Sequence, residues 1–201
     1  MKLYGHPYSA AARRVQVLCE ECAIPYTYQT VDLMKGEQYT PAYLALNPNA
    51  KVPVIDDDGF VLWESQAIMR YLCDKHKAQT WYPAEPKARA QTESWLDWNQ
   101  TRLGPEASKI MFNTHFAGDK GNPQAIEDAK TWLAKILPMM DGELSKRKYL
   151  CGDQPTLADL AAATNIAYLE ACKYDLSAYP AVTKWYGTIK NRPSFAKTAP
   201  N

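Results

Sequence analysis

Residues 51 to 68 read Lys51-Val52-Pro53-Val54-Ile55-Asp56-Asp57-Asp58-Gly59-Phe60-Val61-Leu62-Trp63-Glu64-Ser65-Gln66-Ala67-Ile68. Two apolar runs, Val52 to Asp56 and Phe60 to Trp63, flank Asp57-Asp58-Gly59, and Asp-Gly between such runs signals a β-hairpin. Ser65 then caps a predicted helix running to about Lys75. Upstream, Lys2 to Tyr4 is a short strand candidate. The apolar stripe Ala12, Val15, Val17, Leu18 and Cys22 suits an amphipathic helix that ends at Ile24-Pro25. Tyr26 to Val31 is rich in β-formers and reads as a second strand. A short helix is predicted from Pro41 to Ala45. The order is βαβ, a helical connection, then ββα. The first unit needs a right-handed crossover and so a parallel strand pair; the hairpin adds antiparallel strands.

This small mixed sheet with helices resembles the thioredoxin fold and occupies residues 1–76. Lys77 to Ala84 holds few periodic apolar residues, and Pro86 suits a first helical turn, which puts a linker at 77–85. Residues 86–201 read as all helical. Leu103-Gly104-Pro105 breaks or bends the first long pattern. Leu157 to Leu169 is apolar nearly all round, as a central buried helix is, and a last helix covers about Val182 to Lys190.

A chain of 201 residues with 46% hydrophobic residues can bury enough surface to fold without a metal or disulfide. Lys+Arg number 23 and Asp+Glu 22, so the chain lacks the electrostatic footprint of a general nucleic-acid binder. No apolar run reaches the length of a signal peptide or a membrane span, so no membrane association is expected. The 5 cysteines, an odd count, fit reduced thiols in a cytoplasm. His6, His76 and His115 pair with no cysteine at metal-ligand spacing, so no metal site is read.

Three constellations carry chemistry, and each has a structural alternative. Pro53 opens a strand. With a cis Val52-Pro53 bond the Val52 backbone faces outward, where an extended thiol peptide pairs with it like an added strand; otherwise Pro53 is a strand-entry proline. Ser65, the free amides behind it and the positive end of the helix dipole can hold a carboxylate, with Glu64 taking an ammonium group; alternatively they form an ordinary helix start. Ser9, at the start of the first helix, can donate a hydrogen bond to a thiolate or act only as a cap, with Tyr4, His6 and Tyr8 as rival donors. Cys19-Glu20-Glu21-Cys22 has C-x-x-C spacing but sits near the far end of its helix, where the dipole disfavours a thiolate, so it reads as core. Thr156-Leu157-Ala158-Asp159 reads as a structural capping box.

In their order and spacing, these features resemble a cytosolic glutathione transferase over nearly the whole chain, and the N-terminal half resembles the serine-type phi class. The matching stretches are Tyr4-Gly5 through Ser9 to Arg14-Val15, Val31-Asp32-Leu33, Leu44-Ala45-Leu46-Asn47-Pro48, Lys51-Val52-Pro53, Glu64-Ser65-Gln66-Ala67-Ile68, Tyr149-Leu150-Cys151-Gly152-Asp153, Thr156 to Asp159, Tyr179-Pro180 and Arg192-Pro193. The resemblance implies an α/β thioredoxin-like glutathione-binding domain followed by an all-α bundle, assembled as a homodimer. It implies conjugation of glutathione to apolar electrophiles, with reduction of organic peroxides as a side activity. Glutathione is then a co-substrate and no cofactor is needed. Ser9 donates to the thiolate, Lys51 and Val52 hold the cysteinyl backbone with Pro53 cis, and Glu64 and Ser65 hold the γ-glutamyl end. Gln38 and Tyr39 fall where the phi class often has a His-Lys pair on the glycyl carboxylate; Gln38 keeps a donor but brings no charge. Tyr8, Met111, Phe112 and His115 are the candidates for the electrophile site, placed between the domains, or else for packing. Two other functions share these residues: a glutathione-dependent disulfide reductase and a non-catalytic glutathione-binding module.

Overall fold

The computed structural model describes residues 1 to 200. Its described residues divide into two compact units: Met1–Tyr82 with 193–200, and Pro83–Arg192. The first unit therefore extends past the expected boundary at residue 76, because Trp81 and Tyr82 are buried rather than part of an open linker. It also takes in the chain end, which had been expected in the helical part.

The first unit contains β1 (Lys2–Gly5), α1 (Ala10–Glu21), β2 (Thr27–Thr30), a 3-10 turn at Glu37–Tyr39, α2 (Pro41–Leu44), β3 (Val54–Asp57), β4 (Phe60–Trp63), α3 (Ser65–Lys75) and α9 (Pro193–Lys197). The sheet order is β2-β1-β3-β4. β1 runs parallel to β2 and antiparallel to β3, which pairs antiparallel with β4. Asp58 and Gly59, with φ 55° and 91°, make the two-residue hairpin turn expected of Asp-Gly.

Alternation along the strands divides the core. Leu3 and Ile55 are register partners, fully buried like Val15, Leu18, Ile68, Met69 and Leu72 of α1 and α3. Their neighbours Tyr4 and Val54, on the other face, pack with Val31, Tyr43, Leu33 and Leu46. A Cβ on Gly5 would lie 2.5 Å from Tyr28 Oη and 2.8 Å from Ala12 Cβ, so the absence of a side chain lets α1 sit close over the end of β1. Asp57 braces the hairpin against α3: it accepts from Tyr71 Oη at 2.6 Å and pairs with Lys75.

The second unit contains α4 (Pro86–Trp98), α5 (Gly104–Met111), α6 (Pro123–Leu144), α7 (Leu157–Ala171) and α8 (Pro180–Lys190). Pro105 does not end the helix there. The chain widens into a π turn at Asn99–Leu103, closed by Gly104 N–H on Asn99 O, and continues as α5. Proline has no N–H for the ordinary i−4 bond and its ring crowds that carbonyl, so the wider turn relieves both demands. A second π turn follows at Phe112–Phe116. α7 is central, with residues 157 to 166 all buried. The capping box at its start closes as expected. Asp159 also accepts from Leu150 N at 2.9 Å and Trp185 Nε1 at 2.8 Å, tying three segments together. No helix among the described residues is long and apolar enough to cross a membrane.

Candidate functional site

The registers bring the chemistry-bearing segments to one end of the sheet. Gly5 pairs with Thr30, Tyr4 with Val54, and Val54 with Trp63. The turn after Gly5, the Val52-Pro53 step before Val54 and the Glu64-Ser65 pair after Trp63 therefore meet at that end. So do the N-termini of α1 and α3, each a positive dipole end.

Ser9 is the N-cap of α1, its Oγ accepting from Ala12 N at 3.2 Å. Its amide donates to His6 O at 2.9 Å and its carbonyl accepts from Arg13 N at 2.8 Å, so its backbone is held on both sides. The cap uses a lone pair and leaves the hydroxyl hydrogen available to an acceptor. Burial lowers the pKa of His6 below its ordinary value, against the opposing pull of Asp32. The neutral ring this favours accepts Tyr8 N–H at Nδ1, 3.3 Å away. Tyr8 is exposed, whereas Tyr4 sets its ring edge-on to Tyr43 in the core.

The Val52-Pro53 peptide is cis. The ladder starts at Val54, so the Val52 amide and carbonyl lie outside it. Two residues given no role in the sequence reading anchor this step: Tyr43 Oη and Asn47 Nδ2 each donate to Lys51 O at 2.8 Å. Asn47 lies within the Leu44 to Pro48 stretch, but a buried asparagine reveals its role only through its partners. The Lys51 side chain is exposed.

Glu64, not Ser65, is the N-cap of α3, and its side chain makes no cap bond. It holds φ 71° and ψ 111°, a conformation unusual for a residue with a side chain. Ser65 is therefore the first helical residue, buried to 5% exposure, with no acid in the first turn to neutralise the dipole. Gln38 departs from the expected arrangement. It is 8% exposed, its Nε2 donates to Leu33 O at 3.4 Å, and its Oε1 is buried with no partner among the described residues. The loop around it closes on itself: Asp32 N donates to Glu37 Oε2 at 2.7 Å and Glu37 N to Asp32 O at 3.1 Å. The exposed neighbour is Tyr39.

In the second unit Met111 is buried, with Sδ 3.7 Å from Cys172 Sγ, while Phe112 and His115 are exposed. All five cysteines are free. Burial pushes the thiol of Cys19 up to about 12 and that of Cys22 to about 11, and raises Cys73, Cys151 and Cys172 as well. None offers a ready thiolate near neutral pH, in keeping with a core role for the C-x-x-C pair. Among the described residues no three His, Cys, Asp or Glu side chains gather as a metal site.

Residues 8–75 match the family model for the glutathione S-transferase N-terminal domain, and residues 94–193 match that for the C-terminal domain. The chain belongs to the glutathione S-transferase family. Among glutathione S-transferases of known sequence, a probable one from Oryza sativa subsp. japonica, GSTF2, is 33% identical over 99% of this chain and 95% of its own. Glutathione S-transferase F9 of Arabidopsis thaliana is 34% identical over 98% and 95%. The crystal structure of poplar glutathione transferase F1 superposes with a TM-score of 0.92 at 30% identity, covering 98% of this chain and 95% of that one. These plant relatives are F-type, or phi-class, glutathione S-transferases, as the N-terminal motifs suggested.

Proposed function

We propose that this glutathione S-transferase binds reduced glutathione at the shared end of the sheet and conjugates it to apolar electrophiles in the cytoplasm. The observation that carries this reading is the meeting of Ser9, the Val52-Pro53 step and the Glu64-Ser65 pair beside two helix N-termini. Glutathione presents complementary chemistry: a thiol that must ionise, a peptide backbone, and an α-carboxylate next to an α-ammonium. Val52 pairs with the cysteinyl backbone through its unladdered amide and carbonyl. Ser65 and the first amides of α3 take the γ-glutamyl carboxylate, and Glu64 its ammonium group. Lys51 stays with Val52 at the cysteinyl backbone, and with the Gln38 amide turned inward Tyr39 is the proposed contact of the glycyl end.

A free thiol has a pKa near 8.5, so only a few per cent is ionised near pH 7. A hydrogen bond from Ser9 and the α1 dipole stabilise the thiolate and lower that value. The sulfur lone pair attacks the electrophilic carbon, the S–C bond forms, and the leaving group departs with its electron pair. The thiol proton has already gone to solvent. Further rate comes from holding the thiolate near the electrophile. Tyr8, exposed one residue before Ser9, is the proposed electrophile contact in the first unit.

The test is conjugation of glutathione to chlorodinitrobenzene by the parent and by Ser9→Ala at equal glutathione saturation. Losing one donor to a developing or full anion costs on the order of 10²-fold in turnover. Equal rates would remove Ser9 from this role. No rate in either protein, with glutathione still bound, would support the reductase or binding-module functions.

A further inference from the structure

The mechanism proposed above leaves unused the docking of the chain end on α1. α9 begins immediately after the second unit ends, yet it lies in the first unit. Phe195 is 2% exposed there. Arg13 Nη2 donates to Phe195 O at 2.8 Å, and the guanidinium carbon lies 3.9 Å from the centroid of the Phe195 ring. Farther along α1, Ser194 bonds Glu21, and Lys197 pairs with Glu20 at 2.7 Å. Contacts reaching 173 to 182 residues along the chain thus brace α1 near both ends.

The Arg13 end of this brace bears on the site. Arg13 N donates to Ser9 O at 2.8 Å, so a single residue grips the chain end with its side chain and the cap residue with its backbone. The Ser9 cap bond to Ala12, at 3.2 Å, is local to that turn, whereas the Arg13 contact ties the turn to the chain end. A charged donor on a carbonyl, together with a guanidinium stacked on a ring, is a strong and directional contact. Lys197 and Glu20 form a more exposed pair near the other end, where little is transmitted to Ser9.

We infer that Arg13, clamped by Phe195, is a positioning residue for Ser9: the chain end fixes the first turn of α1 and so keeps the serine hydroxyl aimed at the glutathione sulfur. This rests on the proposed role of Ser9. The clamp touches no substrate atom and acts through the Arg13–Ser9 backbone bond.

The test is a pH titration of the ultraviolet absorbance of the bound glutathione thiolate, with kcat and KM measured alongside. The proteins are the full-length parent, Arg13→Ala, Phe195→Leu and Lys197→Ala. Read as a difference against protein alone and free glutathione at the same pH, the signal reports bound glutathione only, so unfolded molecules do not enter the titration. Both clamp variants are expected to raise the bound thiol's pKa by about half a unit and lower kcat by about fivefold. KM for glutathione should stay within about twofold, because its binding groups lie on other segments. Lys197→Ala should leave the titration unchanged. Phe195→Leu keeps the Arg13 charge and the residue-195 carbonyl and removes the stacked ring, so a shift in Arg13→Ala alone would deny the ring its part and overturn a clamp made by Phe195. An equal shift in Lys197→Ala would also overturn it, by making any loosening of the chain end sufficient. A thiol that titrates in the parent as it does in free solution would contradict the role of Ser9 and this inference with it. A lowered value in the parent that both clamp variants preserve would contradict this inference alone.

Discussion

At the scale of single residues, the site works by dividing the capacity of small polar groups. Ser9 gives a lone pair to Ala12 N and keeps its hydrogen for a thiolate. His6, two residues upstream of Tyr8, must stay neutral to accept the Tyr8 amide. Burial lowers its pKa, so as pH falls the unfolded chain takes up this proton before the folded one does. The stability His6 contributes is therefore complete above its ordinary value near 6.5 and is lost as pH falls through the lower folded value. Urea midpoints measured between about pH 7.5 and 5 should fall more steeply for the parent than for His6→Asn, which keeps an acceptor without titrating. Parallel curves would contradict this. Gln38 shows where residue-level reading stops. Its donor was visible in the sequence, but the Asp32–Glu37 closure that turns the amide inward is a loop property without a repeating pattern.

At the scale of elements, periodicity and turn chemistry made most of the first unit legible. The Asp-Gly hairpin, the βα step into α1 and the buried α7 all follow from local pattern. Less legible was what depends on distant partners. Ser65 looked like a cap, but Glu64 holds that position in a left-handed conformation that a sequence does not display. Pro105 announced a break, but the helix absorbs it with a π turn whose Asn99 bonds Asn165 at 2.7 Å, 66 residues away. Two expectations belong here. Gly104→Ala places a Cβ 2.9 Å from Asn99 O and 3.2 Å from Asn165 Nδ2, and should cost about 1–3 kcal/mol in urea unfolding, because backbone cannot move aside cheaply. Asp159→Ala strands the Leu150 and Thr156 amides and the Trp185 indole N–H in a buried site, and should cost about 3 kcal/mol or more. A loss below about 1 kcal/mol would reduce the capping box to a local cap.

At the scale of the whole molecule, family membership rests on matches over residues 8–75 and 94–193 rather than on one decisive signature. The boundary between units was less legible, because α9 carries only five residues and one large apolar side chain, too little for a periodic signal. From the family resemblance we propose a symmetric dimer. Sedimentation equilibrium should therefore give twice the chain mass at micromolar concentration, and a monomer there would contradict that assembly. The central claim concerns one thiol. The most direct test is the pKa of glutathione bound to the parent and to Ser9→Ala, read from thiolate absorbance against pH. The account predicts a parent value well below the free-thiol value near 8.5 and a rise of about one unit or more in the variant. Equal values in the two proteins would contradict it.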